Sequence, residues 1–235
     1  MSEPVRLLVH GASGRMGLAL LRLAADLPQV QVVAAVQRKV GQRVVEGVPF
    51  FAAAELHGAP TFDAAIDFSL PEAFDAVLAL CVERGSAFVS GTTGLSEGQR
   101  AGLQSASARI PLLWSANFSL GVAILDELVE RAAVALPGWD CDIVEAHHSR
   151  KLDAPSGTAL ALGAAAARGG AQPRYASLRA GDIVGEHLVQ FAGTGERIEL
   201  VHRATSRDIF ARGALHAAAR LAGRDPGSYR LRDLL

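Results

Sequence analysis

Near the start of the chain an apolar run, Val5 to His10, leads into Gly11-Ala12-Ser13-Gly14-Arg15-Met16-Gly17. Leu18, Leu21, Leu23 and Ala24 follow at helical spacing until Pro28, and a second apolar run covers 30–36. Runs that are apolar almost throughout suit parallel strands covered on both faces, and the interval between them is long enough for one crossover helix. Strand, glycine turn, helix and strand make a βαβ unit, which buries its surfaces only within a larger parallel sheet flanked by helices.

The alternation continues with predicted strands over 64–68, 87–90 and 112–115, a helix over 72–84 and a helix starting near Ser96. Pro71 and Ser96 stand where helix starts favour such residues. This is the pattern of an α/β fold with a Rossmann-like doubly wound parallel sheet. After Asn117 the character changes. Leu120, Ile124, Leu128 and Ala132 mark a long amphipathic helix that ends near Pro137-Gly138. Three β-rich segments follow, 142–147, 177–179 and 187–205, with one helix among them. The last divides at Gly193-Thr194-Gly195, a tight hairpin signal, so the expectation is a second α+β domain with an open mixed or antiparallel sheet. A final helix over 208–221 suits either domain by its pattern. The expected division is 1–118 plus 207–235 for the first domain and 119–206 for the second.

Half of the 235 residues are apolar, enough for a sizeable core, and 23 basic residues balance 24 acidic ones. Such a charge balance gives no field to attract nucleic acid or an anionic membrane, so a small molecule is the expected partner. Cys81 and Cys141 both lie in apolar runs and read as buried, reduced thiols, which favours the cytoplasm. No uninterrupted apolar run reaches the roughly 18 residues a bilayer span needs, and no signal-peptide pattern is visible.

Glycines at 11, 14 and 17 between a strand and a helix let backbone approach a pyrophosphate, while the helix offers free N–H groups and its positive dipole end. Ala12, Arg15 and Met16 belong to the same turn. At the end of the second strand, where a carboxylate would bind the ribose of NAD, the chain carries Gln37, Arg38 and Lys39. Two cations and no acid point to NADPH, with NADH also admissible. Two more loops, Gly91-Thr92-Thr93-Gly94 and Ser115-Ala116-Asn117-Phe118-Ser119, follow strands and fall on the same sheet edge, where a nicotinamide ring could lie.

The stretch from Glu145 to Thr158 reads Glu-Ala-His-His-Ser-Arg-Lys-Leu-Asp-Ala-Pro-Ser-Gly-Thr. In an extended strand His147 shares a face with Glu145 while His148 points the other way, so both serve one site only if the strand ends there. A histidine is the best general acid near neutral pH, and Lys151 can hold an anionic or carbonyl-like group. Adjacent histidines on a strand are poor metal-ligand spacing, and no metal is expected. Ser156, Gly157 and Thr158 open a helix after Pro155 and offer its N–H groups to a carboxylate.

Together these residues resemble the dihydrodipicolinate reductase family. The likeness covers most of the chain and also includes Asp67-Phe68-Ser69, the run from Arg179 to His187, and Ser206-Arg207. The resemblance implies hydride transfer from NAD(P)H to a cyclic dicarboxylate with loss of water, in diaminopimelate and lysine biosynthesis. It implies His147 as proton donor with Lys151 as its partner. His148, Lys151, Ser156, Gly157 and Thr158 would hold substrate carboxylates. Gly11, Ala12, Gly14, Arg15, Met16, Gln37, Arg38, Phe68, Gly91, Thr92, Thr93, Ala116, Asn117 and Phe118 would line the cofactor site. It also implies a homotetramer assembled through the second domain. The chain departs from the family pattern at Gln37, where many relatives carry an acid, and between Gln172 and Ala180, where the usual loop is longer.

Two other readings fit the same architecture: an amino-acid dehydrogenase of the aspartate type, and a nucleotide-sensing module without catalysis. Neither needs paired histidines beside a Ser-Gly-Thr cradle.

Overall fold

Strand β1 is Val5–His10, and its last four residues are buried. The computed structural model describes residues 3–235. Helix α1 (Arg15–Ala24) follows the glycine turn and leads to β2 (Val30–Gln37), which pairs parallel with β1. A hairpin of β3 (Val44–Val45) and β4 (Val48–Ala52) comes next. It turns on Glu46 and Gly47, both with positive φ (48° and 80°), as a two-residue primed turn requires. Periodicity missed this hairpin because its strands are short and Glu is a weak signal for such a turn.

Strands β5 (Ala64–Asp67), β6 (Ala87–Ser90) and β7 (Pro111–Trp114) alternate with α2 (Pro71–Arg84) and α3 (Glu97–Ser107). Ser96 caps α3 by accepting a hydrogen bond from the Gln99 backbone N–H at 3.2 Å, which removes one orphan donor of the first turn. With β12 (Gly227–Ser228) these strands form one sheet in the order β12-β7-β6-β5-β1-β2-β4-β3, parallel except for the β3–β4 pair. One face buries Leu8, Val36, Phe74, Val77, Phe88 and Leu112 in a single apolar cluster.

The first compact unit runs to Phe118 and takes in Phe210–Leu235, while Ser119–Ile209 form the second. Helix α6 (Asp208–Leu221) therefore lies mostly in the first unit. A Cβ at Gly213 would stand 1.7 Å from the Phe118 carbonyl oxygen, so only glycine lets the helix come so near.

In the second unit, helices α4 (Leu120–Ala135) and α5 (Gly157–Arg168) cover a sheet of β8 (Asp140–His147), β9 (Pro173–Arg179), β10 (Gly185–Gly193) and β11 (Glu196–Ala204). The order is β11-β10-β8-β9, with β8 and β9 parallel and the other pairs antiparallel. Cys141, Ile143, Val189 and Phe191 pack beneath Leu125, Val129, Ala159 and Leu162. Strand β9 is longer than the 177–179 read from sequence. Its residues are nearly all exposed, so no period-two burial marks it.

Candidate functional site

In the first unit β1 has β2 on one side and β5 on the other, so the order of the sheet reverses between β1 and β5. The loops leaving such neighbours diverge at the carboxyl edge and open a crevice. Here it measures about 580 Å³ and is lined in part by Gly11, Gly14, Gln37, Arg38, Lys39 and Phe68. A Cβ on Gly11 would stand 2.5 Å from the Phe68 carbonyl oxygen, and one on Gly17 would stand 2.3 Å from that of Gly11. Helix α1 starts at Arg15 with Gly14 as N-cap and no side-chain cap, so its first turn offers N–H groups to an anion.

Beneath the crevice the buried Asp67 carboxylate accepts from His10 Nδ1–H at 2.8 Å, Ser90 Oγ at 2.9 Å, Thr92 Oγ1 at 2.7 Å and the Ser69 N–H at 3.2 Å. Burial works against its charge, but the bonds from His10, Ser69 and Thr92 outweigh it and hold the carboxyl below the usual range. One carboxylate thus ties together the ends of β1, β5 and β6. Phe68 sits against Phe118, ring centroids 5.4 Å apart, and only a glycine at 91 leaves room for its ring, since a Cβ there would lie 2.1 Å from it. Of the sequence-expected cofactor residues, Ala12, Thr92 and Phe118 have buried side chains that shape the loops from below. Arg15, Thr93 and Ala116 are exposed, and Met16, Gly91 and Asn117 are partly so.

In the second unit the covered face of the sheet changes character at one end. Period two puts Cys141, Ile143, Glu145 and His147 on the buried side of β8, and Phe191, Val189, His187 and Gly185 on that of β10. Register pairs His187 with Glu145 on one side and with His202 on the other, and pairs His147 with Arg179. Apolar core therefore gives way to a polar cluster within two residues. Arg179 donates to both oxygens of Glu145, at 2.9 and 2.7 Å, and His147 Nδ1–H donates to Oε2 at 2.5 Å. Burial raises the Glu145 carboxyl, yet the donors Arg179, Ser177 and His147 bring it down to about 2. With Nδ1 committed to Glu145, Nε2 is the remaining ring nitrogen of His147. That nitrogen faces Gly185, where a Cβ would approach it to 3.1 Å.

Strand β8 ends at His147, and a turn closed by the Lys151 N–H donating to the His148 carbonyl oxygen at 3.0 Å follows. Both histidines and Lys151 are thereby kept in one neighbourhood. His148 is half-buried, and its Nδ1 has no hydrogen-bond partner. Burial, then the nearby Arg207 and Arg150, lower its pKa. Lys151 Nζ donates to both carboxylate oxygens of Asp153, at 2.8 and 2.9 Å. Ser156 is the N-cap of α5, its Oγ accepting from the Ala159 N–H at 3.2 Å, and Gly157 and Thr158 form the first turn. An added Cβ at Gly157 would meet nothing within 4 Å, so open space adjoins this helix start.

Residue chemistry alone singled out His147, His148, Lys151, Ser156, Gly157 and Thr158. It passed over Arg179, His187 and His202 as parts of the site, because their place depends on cross-strand register. The one available signal was alternation: His187 continues the buried series Phe191, Val189. Among the described residues no group of three or more His, Cys, Asp or Glu side chains is arranged to hold a metal ion.

The family description "Dihydrodipicolinate reductase, N-terminus" matches residues 5–118, and "Dihydrodipicolinate reductase, C-terminus" matches residues 121–235. The chain belongs to the dihydrodipicolinate reductase family. The 4-hydroxy-tetrahydrodipicolinate reductase of Stenotrophomonas maltophilia (strain K279a) is 76% identical over 234 residues, covering 99% of this chain and 98% of its own. That of Xanthomonas campestris pv. campestris (strain B100) is 70% identical over 235 residues, covering 100% of this chain and 99% of its own. The dipicolinate-bound dihydrodipicolinate reductase from Paenisporosarcina sp. TG-14 superposes with a TM-score of 0.83 at 20% identity, over 99% of this chain and 100% of its own, a likeness of fold.

As a member of the dihydrodipicolinate reductase family the protein is an NAD(P)H-dependent oxidoreductase, and the amino-acid dehydrogenase and sensing-module readings are set aside. A nicotinamide nucleotide suits the first unit on its own geometry. Glycine is required where backbone must come close, the helix start has no side-chain cap and so leaves N–H groups free for an anion, and Arg38 and Lys39 border the crevice. Among the described residues no helix is long and apolar enough to cross a membrane.

Proposed function

We propose that this family member reduces 4-hydroxy-tetrahydrodipicolinate in diaminopimelate and lysine biosynthesis, with NADPH as preferred donor, as a cytoplasmic homotetramer. The overall change consumes the substrate, NADPH and a proton, and releases tetrahydrodipicolinate, NADP and water. A nicotinamide nucleotide, when bound, would supply the hydride. Gly11, Gly14 and the first turn of α1 would hold its pyrophosphate, and Arg38, with Lys39 beside it, would meet the phosphate that distinguishes NADPH. His147 donates the proton from Nε2, while ionised Glu145 on Nδ1 stabilises the imidazolium before transfer. Lys151 is its partner at the reacting group, exchanging Asp153 for the substrate. His148, Ser156, Gly157 and Thr158 receive the carboxylates, the last two through N–H groups of the α5 start.

One observation carries this reading: the His147 imidazole is braced by a buried carboxylate, while the Lys151 turn and the α5 start follow from the end of the same strand. The cytoplasm is supported by two free, buried cysteines, with burial pushing the Cys81 thiol up and raising Cys141 to about 11. The open face of the second sheet, where Val144, Leu188 and Val201 lie side by side in register, supports association through that unit.

Freshly generated 4-hydroxy-tetrahydrodipicolinate should discharge the NADPH absorbance, and pyridine-2,6-dicarboxylate should compete as a flat mimic of the two carboxylates. If Lys151→Ala and His147→Gln both retain full turnover, the assignment of roles is wrong.

A further inference from the structure

We propose that His187 is a positioning residue: wedged between the His147 ring and the Ser156 hydroxyl, it locks the proton donor and the start of α5 into one unit. The inference rests on His147 being the acid of the reaction.

His187 lies on the covered face of β10, two residues before Val189 and four before Phe191, and is only 4% exposed. An apolar residue would continue that face without leaving a polar atom unsatisfied. An imidazole stands there instead, with Nδ1 buried and unpartnered, a rare condition that calls for an explanation beyond packing. Its other nitrogen, Nε2, is 3.2 Å from Ser156 Oγ, and its ring meets that of His147 edge to face, centroids 5.2 Å apart at 76°.

Ser156 makes this contact consequential. Its Oγ accepts from the Ala159 N–H and so sets the first turn of α5, while its own N–H donates to Glu145 Oε1 at 3.3 Å. Glu145 in turn holds His147 Nδ1. The contacts close a circuit, His187 to Ser156 to Glu145 to His147 and back, that spans β8, the α5 cap and β10. No member can turn without disturbing its two neighbours. The orientation of the acid and the direction of the α5 N–H groups are therefore not independent.

The charge state fits a brace rather than a second acid. The groups facing His187 are His147 and Glu145 from β8, His202 from β11 and Lys151 from the following turn. Burial first, then the two imidazoles and Lys151, lower its pKa to about 4 against the opposing pull of Glu145. At working pH it is neutral and adds no field beside His147.

The test compares His187→Leu, which fills the space without a polar atom, with His187→Gln, which returns a donor near the place of Nε2. In the NADPH-loaded enzyme, His187→Leu should weaken pyridine-2,6-dicarboxylate about tenfold or more and move the alkaline limb of the kcat profile, where the proton donor is lost, with NADPH affinity within about twofold. His187→Gln should recover most of the dicarboxylate affinity. Dicarboxylate affinity and pH profile both unchanged in His187→Leu would overturn the proposal. Should that variant not fold, nitrogen-15 NMR of the parent decides: one neutral tautomer of His187 persisting from about pH 8 to about pH 5 supports the lock, and titration near the ordinary histidine value of about 6.5 overturns it. A parent that neither binds the dicarboxylate nor turns over would refute the proposed function instead, and the NMR result would still decide whether His187 is locked.

Discussion

The two candidate sites of this protein are built by opposite means. The crevice of the first unit is made by backbone: Gly11 and Gly17 admit close approach, Gly14 leaves a helix start uncapped, and the buried Asp67 ties the strand ends together from below. The cluster of the second unit is made by side chains, with an ionised Glu145 held by Arg179 and His147, and His187 and His202 beside it. A backbone site tolerates any side chain that stays out of the way and fails where a Cβ appears. A side-chain site fails when a single functional atom is removed.

The contrast can be broken or sharpened by substitution. The largest effect belongs to the second unit: His147→Gln should lower kcat by about 10²–10⁴-fold while NADPH affinity, measured by fluorescence titration, stays near the parent value. A matching loss of NADPH affinity would undo the separation of the two sites. Next, Glu145→Ala leaves Arg179 and His147 without their shared carboxylate and should cost about 1–3 kcal/mol of stability in denaturant unfolding. Its effect on NADPH affinity in the folded protein should be small.

In the first unit Gly17→Ala should act through the backbone alone, since its Cβ would press on the Gly11 carbonyl and shift the turn. Overpacking of this kind costs about 1–3 kcal/mol, and NADPH affinity should fall while His147-dependent chemistry at saturating cofactor survives. Finally, pH should separate two groups of the second unit. His187 is neutral in the fold with its pKa lowered to about 4, so its contribution is whole above the unfolded value of about 6.5 and is lost as pH falls toward 4. Glu145, lowered to about 2, holds its contribution above the unfolded value of about 4.3 and loses it below that. The difference in unfolding free energy between the parent and His187→Leu should therefore show a slope of at most about 1.4 kcal/mol per pH unit between those limits, on top of the slopes of the same sign that the lowered His148 and His202 give both proteins.

Why one site was easier to read than the other follows from the same contrast. Glycine spacing between a strand and a helix is local, so the first crevice was visible in a few consecutive letters, as were the strands β1, β2 and β5 and the helices α2 and α6. The stretch from Glu145 to Thr158 was visible for the same reason, because the turn after His147 keeps its members together. The hairpin of β3 and β4 escaped notice since its strands are too short for a period, and β9 since it is exposed along nearly its whole length.

By itself the sequence determined what depends on neighbours along the chain: the βαβ start, the change of architecture after Asn117, the helix caps at Ser96 and Ser156, and the chemistry packed between Glu145 and Thr158. Only the tertiary structure decided that Arg179 clamps Glu145, that His187 sits between His147 and Ser156, and that Asp67 gathers three strand ends. Those facts depend on strand order and register, and a shift of one residue in register would turn every one of these side chains to the other face of its sheet.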